Sequence, residues 1–245
     1  MRSLIATALL SLTLHSQAEE PLRIAVAANL LPVMEQIVHD YQKSGGQSVQ
    51  LAGGSSGAFF EQIRRGAPFD LFFSADAERP EQLLASGIGE GAQSYACGRL
   101  ALWTPRHRPD LTALPAGKLA IAQPDTAPYG KAALQALERS GQLQAVQPHL
   151  VYAQDIGQAY QFVSSGNAPA GLVALSQLRA SQVPADQYEV VAGTLYRPLL
   201  QKRIQLATGP RAALAEDFLQ FFAAQQSTLK NAGYILPGDP GCAAE

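Results

Sequence analysis

LRIAVAANLLPVMEQIVHDY, residues 22–41, changes its hydrophobic period partway along, and that change sets the fold class. Leu22 to Ala28 is a short, nearly continuous apolar run, the pattern of a strand buried on both faces. From there Leu30, Leu31, Val33, Met34, Ile37, Val38 and Tyr41 are spaced for one face of a helix. Gly45-Gly46 stops it. Buried strand followed by amphipathic helix is the unit of an α/β fold with a largely parallel sheet.

The same unit recurs outward along the chain. Strands are expected over Ser48–Ala52 and Phe69–Ser74, with helices over Ala58–Arg65 and Glu78–Ser86. A longer strand-like segment, Tyr95–Trp103, leads to a second set: strands Lys118–Ala122, Leu150–Ala153 and Ala170–Leu175, and helices Lys131–Ser140 and Gly157–Ser165. A second long segment, Tyr196–Ala207, precedes a final helix, Arg211–Ala224, with Leu214, Phe218, Leu219 and Phe222 on one face. No repeat or Pro/Gly linker splits the chain into consecutive domains. Two α/β sets joined by two long strand-like segments imply two lobes with two chain crossovers between them. The expected division is 21–98 plus 202–245 for lobe 1 and 99–201 for lobe 2. A cleft between lobes is the default ligand site.

The N-terminus points to export. Arg2, the apolar stretch Leu4–Leu14 and Ser16-Gln17-Ala18 form a signal peptide over 1–18, cleaved after Ala18. The apolar run is shorter than the ~20 residues of a spanning helix. Removing Arg2 leaves 17 − 20 = −3 charges, which argues against nucleic acid as a partner. Cys97 and Cys242 remain. In an oxidising compartment the pair invites a disulfide closing a loop of about 145 residues, the alternative being two separate thiols.

Three sets of strand-to-helix junctions carry the candidate chemistry. They are Ala27-Ala28-Asn29, with Asn29 read as helix N-cap, Gly53-Gly54-Ser55-Ser56-Gly57, and the pair Ala127-Pro128-Tyr129-Gly130 with Asp155-Ile156-Gly157. Each offers unpaired backbone N–H groups at the positive end of a helix dipole, and small residues let a ligand approach the backbone. Singly, each has a plain reading as a cap or turn. Jointly, at strand carboxyl ends, they describe an anion site built from neutral donors.

On these residues the chain resembles the periplasmic molybdate-binding proteins of ATP-driven importers, over essentially its whole mature length. The matching motifs are AVAANLLPVMEQI (25–37), GGSSGAFFEQIRRGAPFDLFFSAD (53–76), APYGKAALQAL (127–137), DIGQAYQFV (155–163), AGLVAL (170–175) and NAGYILPG (231–238). The resemblance implies a type II periplasmic-binding-protein fold. It implies a dehydrated oxyanion, molybdate or tungstate, held between the lobes by amides and hydroxyls without a cationic side chain. Molybdenum would be held through its oxygens, with no protein–metal bond and no cofactor. Carried over by position, Asn29 donates its N–H and its side-chain amide, Ser56 its N–H and hydroxyl, and Tyr129 and Ile156 their N–H groups. Ala28 stands where some members carry a hydroxyl residue, and Ala174 where some carry a ligand-contacting tyrosine, a role Tyr129 would then take. The implied partner is an ABC transporter permease in the inner membrane, served by a periplasmic monomer that catalyses no reaction.

Rival readings are weaker. Gly53-Gly54-Ser55-Ser56-Gly57 matches the G-x-S-x-G nucleophile elbow, but a hydrolase of that type needs a late acid and then a His. The mature histidines are His39, His107 and His149. A sulfate or organic-acid receptor is the second rival. Organic acids call for an Arg, and Arg64, Arg65 and Arg99 fall on helix or strand bodies. A metal-ion receptor needs His and carboxylate clusters, whereas Asp70, Asp76 and Asp155 are scattered, Asp76 reading as a turn or cap residue.

Overall fold

A computed structural model describes residues 20–242 of the chain, so the expected signal peptide lies outside the described residues. The fold is α/β and two-lobed, each lobe built on a mixed five-stranded sheet. The first sheet contains β1 (Leu22–Ala27), β2 (Val49–Gly54), β3 (Leu71–Phe73), β4 (Glu90–Gly98) and β10 (Leu199–Gln205), in the order β2-β1-β3-β10-β4. The second contains β5 (Leu100–Trp103), β6 (Leu119–Ala122), β7 (Leu150–Ala153), β8 (Ala170–Ala174) and β9 (Tyr188–Val190), ordered β7-β6-β8-β5-β9. In each sheet three strands run parallel, and an antiparallel strand (β10 or β5) pairs beside them.

The expected long strand 95–103 is in fact two strands, one in each sheet, divided at Arg99. That residue marks the first crossover. The return falls before Leu199, which already pairs with Gly98 of β4, rather than at 202. Both crossovers therefore lie side by side. Leu100 N–H donates to the Tyr196 hydroxyl (3.1 Å), tying the two connecting segments together.

Helices cover the sheets. α1 (Leu31–Lys43) buries Val33, Met34, Ile37, Val38 and Tyr41, each large apolar side chain worth roughly 1.5–3 kcal/mol on leaving water. It meets α8 (Pro210–Ala223) through Tyr41, whose ring stands edge-on to Phe218 (centroids 5.2 Å) and whose hydroxyl donates to Asp217 Oδ2 (2.6 Å). α2 (Ser56–Arg64) and α3 (Glu78–Ala85) complete that side of lobe 1, and α9 (Gln226–Asn231) follows α8. Lobe 2 carries α4 (Pro128–Arg139), the short α5 (Leu143–Val146), α6 (Ile156–Ser164) and α7 (Leu175–Ala180).

Two covalent and ionic ties secure the C-terminal segment to lobe 1. Cys97 of β4 is bonded to Cys242, with 5.4 Å between their Cα atoms. Arg211 at the start of α8 forks onto buried Asp70, Nε to Oδ1 at 2.7 Å, and Asp70 also accepts the Arg23 N–H (2.7 Å). Among the described residues no helix is long and apolar enough to cross a membrane.

Candidate functional site

The carboxyl ends of β1, β2, β6 and β7 face one another across the lobes, and the turns that follow them line a small, tight cavity. Its wall comprises Ala27, Ala28, Asn29, Gly54, Ser55, Ser56 and Ala75 from lobe 1, and Ala127, Pro128, Tyr129, Asp155 and Ile156 from lobe 2. All five residues expected to hold the ligand (Ala28, Asn29, Ser56, Tyr129 and Ile156) line this one cavity.

Local sequence explains which donors face it. Helix α2 begins at Ser56, with Ser55 as N-cap: its hydroxyl accepts the Ala58 N–H (3.2 Å). The Gly57 N–H donates across the cleft to the Thr126 carbonyl (2.9 Å). Ser56 thus keeps the first amide of the helix, where no intrahelical carbonyl is available. Its hydroxyl accepts the Ala75 N–H (2.9 Å), which leaves the O–H proton to be donated. In α4 the first residue is Pro128, so Tyr129 has the first N–H, while Gly130 and Lys131 bond back to the Ala127 carbonyl. In α6 Asp155 is the N-cap and its carboxylate accepts the Gln158 N–H (2.9 Å), leaving Ile156 as the first amide.

The first junction departs from expectation. Asn29 is not an N-cap. Residues 28–30 form a turn, α1 is capped by Leu30 with no side-chain bond, and the Asn29 side chain points into the protein. Its Nδ2 donates to Gln201 Oε1 (3.0 Å) and to the Tyr234 hydroxyl (2.9 Å), so both amide protons are engaged away from the cavity. Its carbonyl accepts the hydroxyls of Ser176 (2.8 Å) and Tyr234 (2.9 Å). What Asn29 brings to the cavity is its backbone N–H, which makes no bond to the described residues. Ala28 brings only a methyl wall, because its N–H donates to the Gly54 carbonyl (2.9 Å). Uncommitted donors at the wall therefore include the N–H groups of Asn29, Ser56, Tyr129 and Ile156 and the Ser56 hydroxyl.

Formal positive charge is absent from the wall. Arg64 lies over the Phe60 ring and beside Glu61, Arg65 beside Glu61, and neither reaches the cavity. Arg79 is ion-paired with Asp76 and reaches across to the Asp125 carbonyl (3.3 Å). Asp76 also accepts the Ser74 hydroxyl (3.0 Å) and the Arg79 N–H (3.2 Å), the work of a turn residue. No histidine lines the cavity, and His149 stands at the far end of β7 from it. Among the described residues no group of three or more His, Cys, Asp and Glu is placed to hold a metal ion.

Beneath the donors lies a polar layer that the sequence did not single out: Tyr95, Ser176, Gln177, Gln201 and Tyr234. Burial pushes the Tyr95, Tyr129 and Tyr234 phenols well above their ordinary value, so all three are neutral donor-acceptors at any physiological pH. The Tyr129 hydroxyl, expected to close over the ligand, instead meets Gln201 Nε2 at 3.4 Å. Ala174, at the alternative tyrosine position, is fully buried. Tyr234 sits inside the NAGYILPG motif. Gln201 lies in a strand of mixed character, LLQKRIQ, and nothing in that stretch of sequence marks its amide as buried.

Residues 22–235 match the family model described as bacterial extracellular solute-binding protein. The chain is 36% identical over 220 residues to a molybdate-binding protein of Rhodobacter capsulatus, covering 86% of each. It is likewise 36% identical over 232 residues to one from Azotobacter vinelandii, covering 90% of this chain and 92% of that one. The solved structure of the periplasmic molybdate-binding protein of Azotobacter vinelandii superposes with a TM-score of 0.83 at 33% identity, over 88% of this chain and 99% of that one.

Proposed function

The chain belongs to the bacterial extracellular solute-binding proteins, and on that premise we propose that its solute is molybdate or the nearly isosteric tungstate, captured in the cavity between the lobes. The observation that carries this reading is the composition of the wall: five uncharged donors and no cation, its one ionisable carboxylate, Asp155, serving as the N-cap of α6. Such a wall suits a tetrahedral ion that is fully deprotonated. Phosphate carries a proton near neutral pH, and a wall made chiefly of donors is poorly matched to it. Sulfate is a smaller tetrahedron and cannot touch every donor of a rigid shell at once. Two relatives and one solved neighbour bind molybdate by name.

The magnitudes agree. Hydrogen bonds to a charged group contribute roughly 1.5–3 kcal/mol each. Five give roughly 8–15 kcal/mol against a dianion's desolvation, and the surplus needed for submicromolar affinity is about 8 kcal/mol. Three helices, α2, α4 and α6, also begin at the wall of the cavity and bring their N-terminal dipoles to it.

Around this site we place the remaining assignments. Lobe 1 gathers the first sheet and lobe 2 the second, closing on the ion by hinge motion at the paired crossovers. The protein is exported by its signal peptide, acts in the periplasm as a monomer, catalyses no reaction, and passes the ion to an ABC permease. Calorimetric titration with molybdate, tungstate, sulfate and phosphate tests the reading. Tight binding of the first two alone supports it.

A further inference from the structure

Both crossovers converge on one buried side chain. Gln201 lies on β10 just past the return crossover and is fully buried. Its Oε1 accepts from Asn29 Nδ2 (3.0 Å) and from the Tyr95 hydroxyl (2.7 Å), and its Nε2 donates to the Tyr129 hydroxyl (3.4 Å). Asn29 and Tyr129 are the cavity residues that come from opposite lobes, and each turns its N–H toward the cavity and its side chain toward Gln201. A glycine on the first crossover strand makes room for this junction. A Cβ at Gly98 would lie 2.1 Å from the Tyr129 hydroxyl and 2.5 Å from Gln201 Nε2. Gly98 does not have a positive φ, so its backbone conformation does not demand glycine, whereas the two side chains meeting there do.

We infer that Gln201 is a positioning residue of the oxyanion site, one amide that fixes the Asn29 and Tyr129 donors relative to each other across the hinge. The physical reason lies in the rigidity that selectivity requires. A shell of donors distinguishes a large tetrahedral ion from a small one only if the donors cannot follow the ion inward. Two donors on separate lobes hold a fixed separation when a third group, tied to both, sits at the pivot. Gln201 suits the task because an amide both accepts and donates. Tyr95 anchors it from behind, its hydroxyl also reaching the Ser74 carbonyl (3.0 Å).

The inference rests on the molybdate reading, and the test separates the two. Molybdate and sulfate affinities and molybdate dissociation rates are measured for the unaltered protein, Gln201→Leu, Tyr129→Phe and the double variant, with melting of the ion-free proteins as control. Tyr129→Phe removes the hydroxyl and keeps the N–H. The expected result is a molybdate affinity lower by about ten-fold or more for Gln201→Leu, the worth of one buried hydrogen bond. A smaller loss is expected for Tyr129→Phe, a double variant no worse than Gln201→Leu alone, and a narrowed molybdate-to-sulfate ratio. Unchanged affinities, or losses that simply multiply, overturn the inference. If Gln201→Leu does not fold, Gly98→Ala takes its place, since its methyl occupies the point where Gln201 and Tyr129 meet. Absence of molybdate binding by the unaltered protein would instead sink the reading of the site.

Discussion

Adjacent serines in one turn should differ in binding, though not in the sign of their effect on stability, when each loses its hydroxyl. Ser56→Ala removes a hydroxyl whose acceptor lone pair takes the Ala75 N–H (2.9 Å) and whose proton is left to be donated at the cavity wall. The ion loses one charge-assisted bond, roughly 1.5–3 kcal/mol, or about 10- to 150-fold in Kd. The buried Ala75 N–H also loses its partner, costing the ion-free fold about 1 kcal/mol or more. Ser55→Ala removes an N-cap that bonds the Ala58 N–H (3.2 Å), costing about 0.5–2 kcal/mol of stability, and takes no donor from the ion. Calorimetry for affinity and thermal melting without ligand for stability separate the two effects. Ser56→Ala should lose both; Ser55→Ala should melt earlier and bind within about two- to three-fold of the unaltered protein, under 1 kcal/mol. Equal losses of affinity in the two variants would refute the assignment of donor and cap.

Four further outcomes follow from the same geometry. Gly57→Ala should weaken molybdate binding and prevent the contraction that lobe closure predicts for small-angle scattering on ligand addition, since a Cβ there would lie 2.8 Å from the Thr126 carbonyl oxygen and 2.9 Å from its Cα across the cleft. Unaltered contraction would show that the lobes do not meet there. Cys97→Ala with Cys242→Ala opens a loop of 145 residues, and the chain-entropy account predicts a loss of about 5 kcal/mol in a denaturant titration; a loss under 1 kcal/mol would contradict it. Asp70→Ala leaves Arg211 and the Arg23 N–H without their carboxylate and should cost about 2 kcal/mol, the partial exposure of Arg211 reducing the full buried-pair value. Alkali should unfold the protein cooperatively. Tyr41 ionises near 10 when unfolded and is pushed up to about 12 by burial and its bond to Asp217. The stability it contributes is therefore complete below pH 10 and disappears as pH rises through about 12, with Tyr95, Tyr129, Tyr196 and Tyr234 acting in the same direction. Phenolate absorbance rising gradually ahead of unfolding would contradict that coupling.

Much of this molecule is legible in its sequence for a physical reason. The period change at Ala28-Asn29 fixes a strand and a helix of opposite burial patterns, and its recurrence fixes the parallel strands within each mixed sheet. The cavity residues were legible because helix N-termini after buried strands advertise unpaired amides. What the sequence hid was direction. Asn29 reads as a cap by residue type, yet a cap needs its side chain turned back on its own helix, and here Gln201 and Tyr234, 172 and 205 residues away in the chain, draw it inward. Ala28 has an N–H like its neighbours, but registry with β2 assigns that group to Gly54. The crossover at Arg99 was concealed because two strands of different sheets, separated by one residue, read as one apolar run. Small elements such as α7 and β9 have too few residues for a period to emerge.

The central claim is that neutral donors from two lobes replace the water around a doubly negative tetrahedral ion. Parallel calorimetry of the purified protein with molybdate, tungstate, sulfate and phosphate measures it most directly. The account predicts submicromolar binding of molybdate and tungstate, unchanged between about pH 6 and 9 because amides and a serine hydroxyl do not titrate there, with sulfate and phosphate far weaker. Indifference to molybdate at millimolar concentration, or sulfate bound as tightly, would contradict it.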